Sequence, residues 1–264
     1  MAIISLQVID KEGNVVCQAK GEDFVDLVCK HTYQEGDRID LKISEKQVYL
    51  KWQVDDGLGA AFVYLTGDVS YYIPFGEQRR SYSPKVFSGD RHYIYAELAG
   101  REEVASYRNL ALNPADQRFD VPCFPHATAN VETRGEATFA ARNAIDGVRA
   151  NLSHGSWPYQ SWGINQQDDA ALKIAFGREV IADKVVLYTR SDFPHDNWWV
   201  RATVKFSDGS IKEFSLEKST RAQVLAFPEK KIEWLELCDL IKSDDPSPFP
   251  ALSQIEVYGR DRPV

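Results

Sequence analysis

Apolar residues in this chain return at every second position far more often than at every third or fourth, and no other feature restricts the fold as much. Ile39, Leu41 and Ile43 alternate with Asp40 and Lys42, while Val48, Leu50, Trp52 and Val54 alternate with Tyr49, Lys51 and Gln53. Val200, Ala202, Val204 and Phe206 do the same against Arg201, Thr203, Lys205 and Ser207. Side chains of a strand point to opposite faces in turn, so each run reads as a half-buried strand. Turn formers stand between them: Glu12-Gly13-Asn14, Glu35-Gly36-Asp37, Asp56-Gly57 and Gly67-Asp68. Their spacing suits an antiparallel sandwich. The aromatic run Tyr71, Tyr72, Phe75, Tyr82, Phe87, Tyr93 and Tyr95 reads as core and sheet surface, with a ligand platform as the alternative.

Around residues 101–120 the alternation lapses into charged and turn-forming sequence, Arg101-Glu102-Glu103 and then Asn113-Pro114-Ala115-Asp116. A domain boundary is placed there, giving a β-sandwich of unassigned role over 1–107 and a second β domain over 108–264. In the second, strands are expected at 171–176, 185–188, 200–206, 214–216, 234–238 and 255–258. Thr138 to Gly147 offers an N-cap, helix formers and a closing glycine, which predicts one short helix. Three prolines between Lys242 and Ala251 exclude a central strand and predict an ordered loop or lid.

A net charge of −8, from 39 acidic and 31 basic residues, provides no field for phosphate backbones or anionic lipid. Nucleic acid and membrane are therefore not expected as partners. No run approaches the ~20 apolar residues of a spanning helix. Met1 leads directly into strand-like sequence, so the chain as it stands reads as cytoplasmic, and as secreted if a leader has been removed. Cys17, Cys29, Cys123 and Cys238 lie far apart without CxxC spacing and read as small buried thiols in a reducing compartment.

The stretch Leu187 to Ser210 holds the densest set of recognition groups: Arg190, Asp192, His195, Asp196, Asn197, Trp198 and Trp199 between two strands. Hydrogen-bonding groups beside flat rings suit a polar ligand with apolar faces, and sugars are of that kind. His154 and Trp157 lie in a second polar loop, 151–169. Alternation sends one of Trp198 and Trp199 inward, leaving the other as the platform.

Ordered pieces of the second half, Asn109–Asn113, Ala141–Gly147, Ser161-Trp162, Ile174–Gly177, Asp183–Arg190, Asn197, Phe206–Gly209 and Ser253–Gly259, together resemble the discoidin or coagulation-factor C-type domain family. That is the galactose-binding-like jelly roll used widely by bacterial carbohydrate-binding modules. The resemblance covers roughly residues 110–260 and implies that this unit is a galactose-binding-like jelly roll; with the sandwich read from alternation in 1–107, the expectation is an all-β chain of two tandem β-sandwiches. The resemblance implies lectin-like sugar binding by loops at one end, through Arg190 and Asn197, with His195, Asp196, His154 and a ring from Trp157 or Trp198. It makes Trp162 a core residue. It also implies a structural calcium on Asp146, with Asn143 and Ser161 as oxygen ligands, although Gln254 stands where the family tends to place a glutamate.

The leading expectation is a non-catalytic carbohydrate-binding protein. A glycoside hydrolase would need paired carboxyl groups, for which Asp192, Asp196, Asp244 and Asp245 are candidates. No nucleophile elbow, HExxH, P-loop or dinucleotide fingerprint accompanies them. A protein-interaction scaffold, or a homo-oligomer formed through the same aromatic loops, is the third reading.

Overall fold

The computed structural model describes residues 1–152, 154–193 and 195–261. The chain is all-β. Its strands are β1 (Ile3–Ile9), β2 (Val15–Glu22), β3 (Phe24–Cys29), β4 (Arg38–Ile43), β5 (Val48–Gln53), β6 (Ala61–Leu65), β7 (Val69–Tyr72), β8 (His92–Leu98), β9 (Arg108–Asn109), β10 (Cys123–Phe124), β11 (His126–Ala129), β12 (Trp162–Gly163), β13 (Leu172–Thr189), β14 (Trp199–Phe206), β15 (Ile211–Ser215), β16 (Gln223–Lys242) and β17 (Ala251–Asp261). Among the described residues no helix is long and apolar enough to cross a membrane.

The first sandwich packs a sheet ordered β2-β1-β4-β7 against one ordered β10-β6-β5-β8-β3. The even positions of β1 (Ile4, Leu6, Val8) meet Ile39, Leu41, Leu50, Trp52, Val63 and Ile94 in one core, as the period-two pattern requires. Tyr71, Tyr82 and Phe87 lie in that core too, whereas Tyr72 and Tyr93 face solvent. Cys17 and Cys29 correct the expectation of free thiols: they form a disulfide, with Cα atoms 5.7 Å apart. They stand on β2 and β3, the edge strands of opposing sheets, so the bond closes one side of the sandwich. Their separation in sequence matches no motif; only the turn at Asp23 brings the two strands together.

In the second sandwich the ladder runs β12-β17-β13-β16-β14-β15, with β11 on β13 and β9 on β17. The separate short strands expected at 171–176 and 185–188 are one strand, β13, which breaks register between Ala175 and Val180. There it exchanges β11 for β17 as a neighbour, and the ladder folds over itself. Gly177 makes the bend: its φ is +69°, and a Cβ would stand 2.4 Å from the Phe124 ring. Trp162, Phe176, Leu187, Trp199, Phe206, Leu237 and Val257 fill the core. A register break between Trp199 and Arg201 turns Trp199 inward and leaves Val200 exposed, against the simple alternation.

The helix expected over 138–147 is instead two 3-10 turns, Ala137–Phe139 and Ala141–Ile145, separated by an extended Ala140. The Asn143 side chain, donating to the carbonyls of Ala137 and Ser161 at 2.8 and 3.3 Å, holds this irregular path. The α-helix, α1, is Arg101–Ala105, whose Glu103 carboxylate accepts from the Gly100 N–H at 2.8 Å.

The segment between the sandwiches serves both. β9 pairs with β17, and Leu110 and Ala111 enter the second core; then Ala115 and Cys123 enter the first, where β10 pairs with β6. A buried carboxylate fastens them further. Asp261 accepts from Arg178 Nε at 2.7 Å and the Tyr49 hydroxyl at 3.1 Å, and pairs with Arg108. Arg108 lies 4.0 Å above the Phe62 ring, so guanidinium groups of one sandwich stack on rings of the other.

Candidate functional site

β13 delivers Arg190 to the end of the second sandwich with no exposed surface. Its guanidinium grips Asp192 through Nε (2.9 Å) and Nη2 (2.5 Å), and Nη1 donates to the Tyr159 carbonyl at 2.6 Å. Burial pushes the Asp192 carboxyl up, but the bonds and charge of Arg190 outweigh it and hold the group below the usual carboxylate range. Asn197 is equally committed. Its amide donates to the carbonyls of Asp245 (3.0 Å) and Ser247 (2.7 Å), while its oxygen accepts from Trp198 N and Ser243 Oγ at 2.8 Å. Both were expected as direct ligand contacts; in this structure Arg190 braces the Tyr159 backbone and the Asp192 carboxylate, and Asn197 braces the proline-rich loop.

His195 is placed differently. Its Nδ1 donates to the Phe249 carbonyl at 2.7 Å, while Nε2 is buried and has no hydrogen-bond partner. Burial, then the positive charge of Arg190, pushes the imidazole down to about 4. It is therefore neutral at pH 7, and with its proton on Nδ1 it presents Nε2 as a bare acceptor.

His195 is one of the residues that line a cleft at this end of the sandwich. Phe139 and the Pro248-Phe249-Pro250 run form apolar walls, and Arg134, His154, Asn165 and Gln166 supply polar groups. Arg134, at φ +53°, lies 5.4 Å from the Phe139 ring and is tied to Glu136. Asn165 and Gln166 both take positive φ in a tight turn closed by Gln167 N to Ile164 O at 2.9 Å. Thr133 Oγ1 holds that turn by accepting from Asn165 N at 2.9 Å. Gly163 permits the approach, because a Cβ there would meet Thr133 Oγ1 at 2.6 Å and Phe139 at 3.3 Å.

Of the residues expected at the site, His195 and His154 come together, their ring centroids 5.8 Å apart. Asp196 lines a shallower neighbouring depression with Phe193, Lys218 and Asp245. Trp198 is half-buried under Lys218, whose Nζ is 5.5 Å from the ring, and Trp162 and Trp199 are core. Trp157 stands elsewhere, with Arg142, Asp146 and Tyr82 in a hollow lined by both sandwiches. Phe139, Asn165, Gln166 and Arg134 were not anticipated; the nearest signal was the proline-rich lid, whose Phe249 forms a wall.

Of the implied calcium ligands, Ser161 Oγ is buried without a hydrogen-bond partner, whereas Asn143 and Asp146 are already committed to hydrogen bonds. Asn143 Oδ1 accepts from the Arg142 guanidinium at 3.2 Å, and its amide nitrogen donates to carbonyls. Asp146 accepts from Val148 N at 2.7 Å and Gln160 Nε2 at 3.1 Å. Burial pushes its carboxyl up to about 6. Oxygens turned toward N–H donors beside a guanidinium form a hydrogen-bonded brace, and neutral Gln254, accepting from Gly147 N at 3.1 Å, completes it.

A family model described as "Domain of unknown function (DUF7402)" matches residues 123–257, just over half of the chain. No curated protein matches. Among solved structures, the lectin binding domain of Lectinolysin complexed with Lewis b is 18% identical, with 60% of this chain and 99% of that one covered at a TM-score of 0.44. A chitosan-binding module from a Paenibacillus sp. IK-5 chitosanase/glucanase is 18% identical, over 58% and 100%, at 0.41. The family 32 carbohydrate-binding module of C. perfringens NanJ, in complex with galactose, is 17% identical, over 50% and 91%, at 0.37. At these TM-scores the likenesses identify no ligand for this chain.

Proposed function

The chain belongs to the family described as domain of unknown function DUF7402, and we propose that it is a non-catalytic carbohydrate-binding protein whose sugar enters the His195 cleft of the region 108–264. The observation that carries this reading is a cleft walled by Phe139, Phe249 and prolines and lined by His195, whose buried Nε2 has no hydrogen-bond partner. A pyranose offers a C–H face to such rings and a hydroxyl donor to such an acceptor. Asn165, Gln166 and His154 then serve the remaining hydroxyls, and Arg190 and Asn197 keep the walls in place.

Binding without turnover is favoured by the loop carboxylates. Asp192 is held low by Arg190, and Asp245 by the Ser247 N–H and Lys218. A glycosidase acid needs the opposite displacement. The Cys17–Cys29 disulfide supports residence in an oxidising compartment.

Titration calorimetry and a glycan array with mono- and oligosaccharides test the proposal. Saturable binding is expected, weakened about tenfold or more by His195→Leu, which removes the acceptor, and by Asn165→Ala, since a lost polar contact to the ligand is worth roughly 1–3 kcal/mol. Absence of binding across the array rejects it.

A further inference from the structure

A second cluster lies in the first sandwich, on loops at one end of its five-stranded sheet. Asp55 and Asp56 follow β5, and His92 opens β8, the strand paired with β5. One ligand atom from each of the three lies within 4.8 Å of the other two. His92 and Asp55 are buried, and Asp56 is open to solvent.

The hydrogen bonds around this cluster fix the direction of its groups. His92 Nε2 stands 3.0 Å from the His31 carbonyl, which only accepts, so Nε2 carries a proton. Nδ1 stands 3.3 Å from Asp55 Oδ2, which, ionised, also only accepts. Nδ1 thus faces the Asp55 carboxylate, with the Asp56 carboxylate close by. Asp55 Oδ1 already accepts from Gly57 N at 2.8 Å, leaving Oδ2 directed at the cluster. Tyr33 stacks on the His92 ring at 4.0 Å, and its buried hydroxyl has no partner; Asp37 Oδ1 is a second buried atom without one. A ring nitrogen and two carboxylates converging within 4.8 Å of one another match the ligands of a divalent first-row metal. An imidazole whose far N–H donates to a main-chain carbonyl is the usual second layer of such a site.

We propose that Asp55, Asp56 and His92 bind a divalent transition metal of the Zn²⁺ class, His92 through Nδ1 and each aspartate through a carboxylate oxygen. The metal clamps the loop after β5 to the start of β8, and three protein ligands leave a position for water. The site lies in the other sandwich and is independent of the sugar cleft.

The test uses the full chain, stripped with chelator and titrated with Zn²⁺ by calorimetry and with Co²⁺ by visible absorption and NMR. Expected are one metal per chain, ligand-field bands from Co²⁺, and paramagnetic broadening of His92. Asp56→Asn, at an exposed position that leaves the core intact, weakens binding about tenfold or more, and His92→Gln abolishes it. The proposal is overturned by absence of saturable binding, by binding that Asp56→Asn leaves within twofold, or by broadening at His154 and His195 in place of His92.

Discussion

Replacing His195 by Asn tests the electrostatics of the cleft directly. Asparagine keeps an N–H donor near the Phe249 carbonyl and an oxygen acceptor, but it does not titrate. His195 ionises near 6.5 in the unfolded chain and at about 4 in the folded protein. Between those values the unfolded chain holds a proton that the folded protein excludes, so stability falls as pH falls through this window. At 1.36 kcal/mol per tenfold, the loss amounts to about 3 kcal/mol in all, of which about 2 kcal/mol is reached at pH 5. The group is 5% exposed, so solvent screening removes little of this. Asp146 titrates in the opposite sense, and it does so in both proteins and cancels from their difference. At pH 7 the variant should be less stable by about 1–2 kcal/mol through lost ring packing. At pH 5 the two proteins should be equally stable within about 1 kcal/mol, because only the wild type has paid the proton cost. Urea unfolding followed by tryptophan fluorescence at both pH values gives the numbers, and NMR titration of the ring gives the ionisation itself. A stability gap unchanged between pH 7 and 5, or an imidazole titrating near 6.5, would refute the assignment of a neutral, acceptor-bearing His195.

Asp261→Asn leaves Arg108 and Arg178 without their shared counter-ion and should destabilise the protein by about 3–5 kcal/mol in urea. Arg190→Ala should cost a similar amount, about 3–5 kcal/mol, and weaken sugar binding only through disordered cleft walls. A milder loss on binding than from Asn165→Ala, measured below the melting temperature, separates brace from contact. Thiol titration of the denatured, unreduced protein should count two groups, Cys123 and Cys238. Reducing Cys17–Cys29, which closes a loop of 12 residues, should lower stability by about 3 kcal/mol.

The strands were legible because a half-buried strand writes its period into neighbouring residues. Its failures have local causes: the bulge beside Val200 reverses the phase of one strand end, and the Asn143 side chain diverts the 138–147 segment from an α-helix into two 3-10 turns. The candidate cleft draws His154 and His195 from the two polar loops singled out in the sequence. Arg190 looked like a free fork for hydroxyls, yet Asp192, two residues on, occupies it. Phe139, Asn165, His195 and Phe249 meet only through the closed topology of the second sandwich, and residues so far apart leave no pattern along the chain. The Cys17–Cys29 pairing was hidden for the same reason.

The strand exchange around residues 108–129 bears on how this protein can be inherited and handled. Severing the chain at residue 107 would take β10, Ala115 and Cys123 away from the first core, exposing apolar surface on the fragment left behind. Neither half is therefore a cassette that recombination can move alone into another protein. Heating should give one calorimetric transition, and fragments expressed from that cut should aggregate, while co-expressed halves should recover each other.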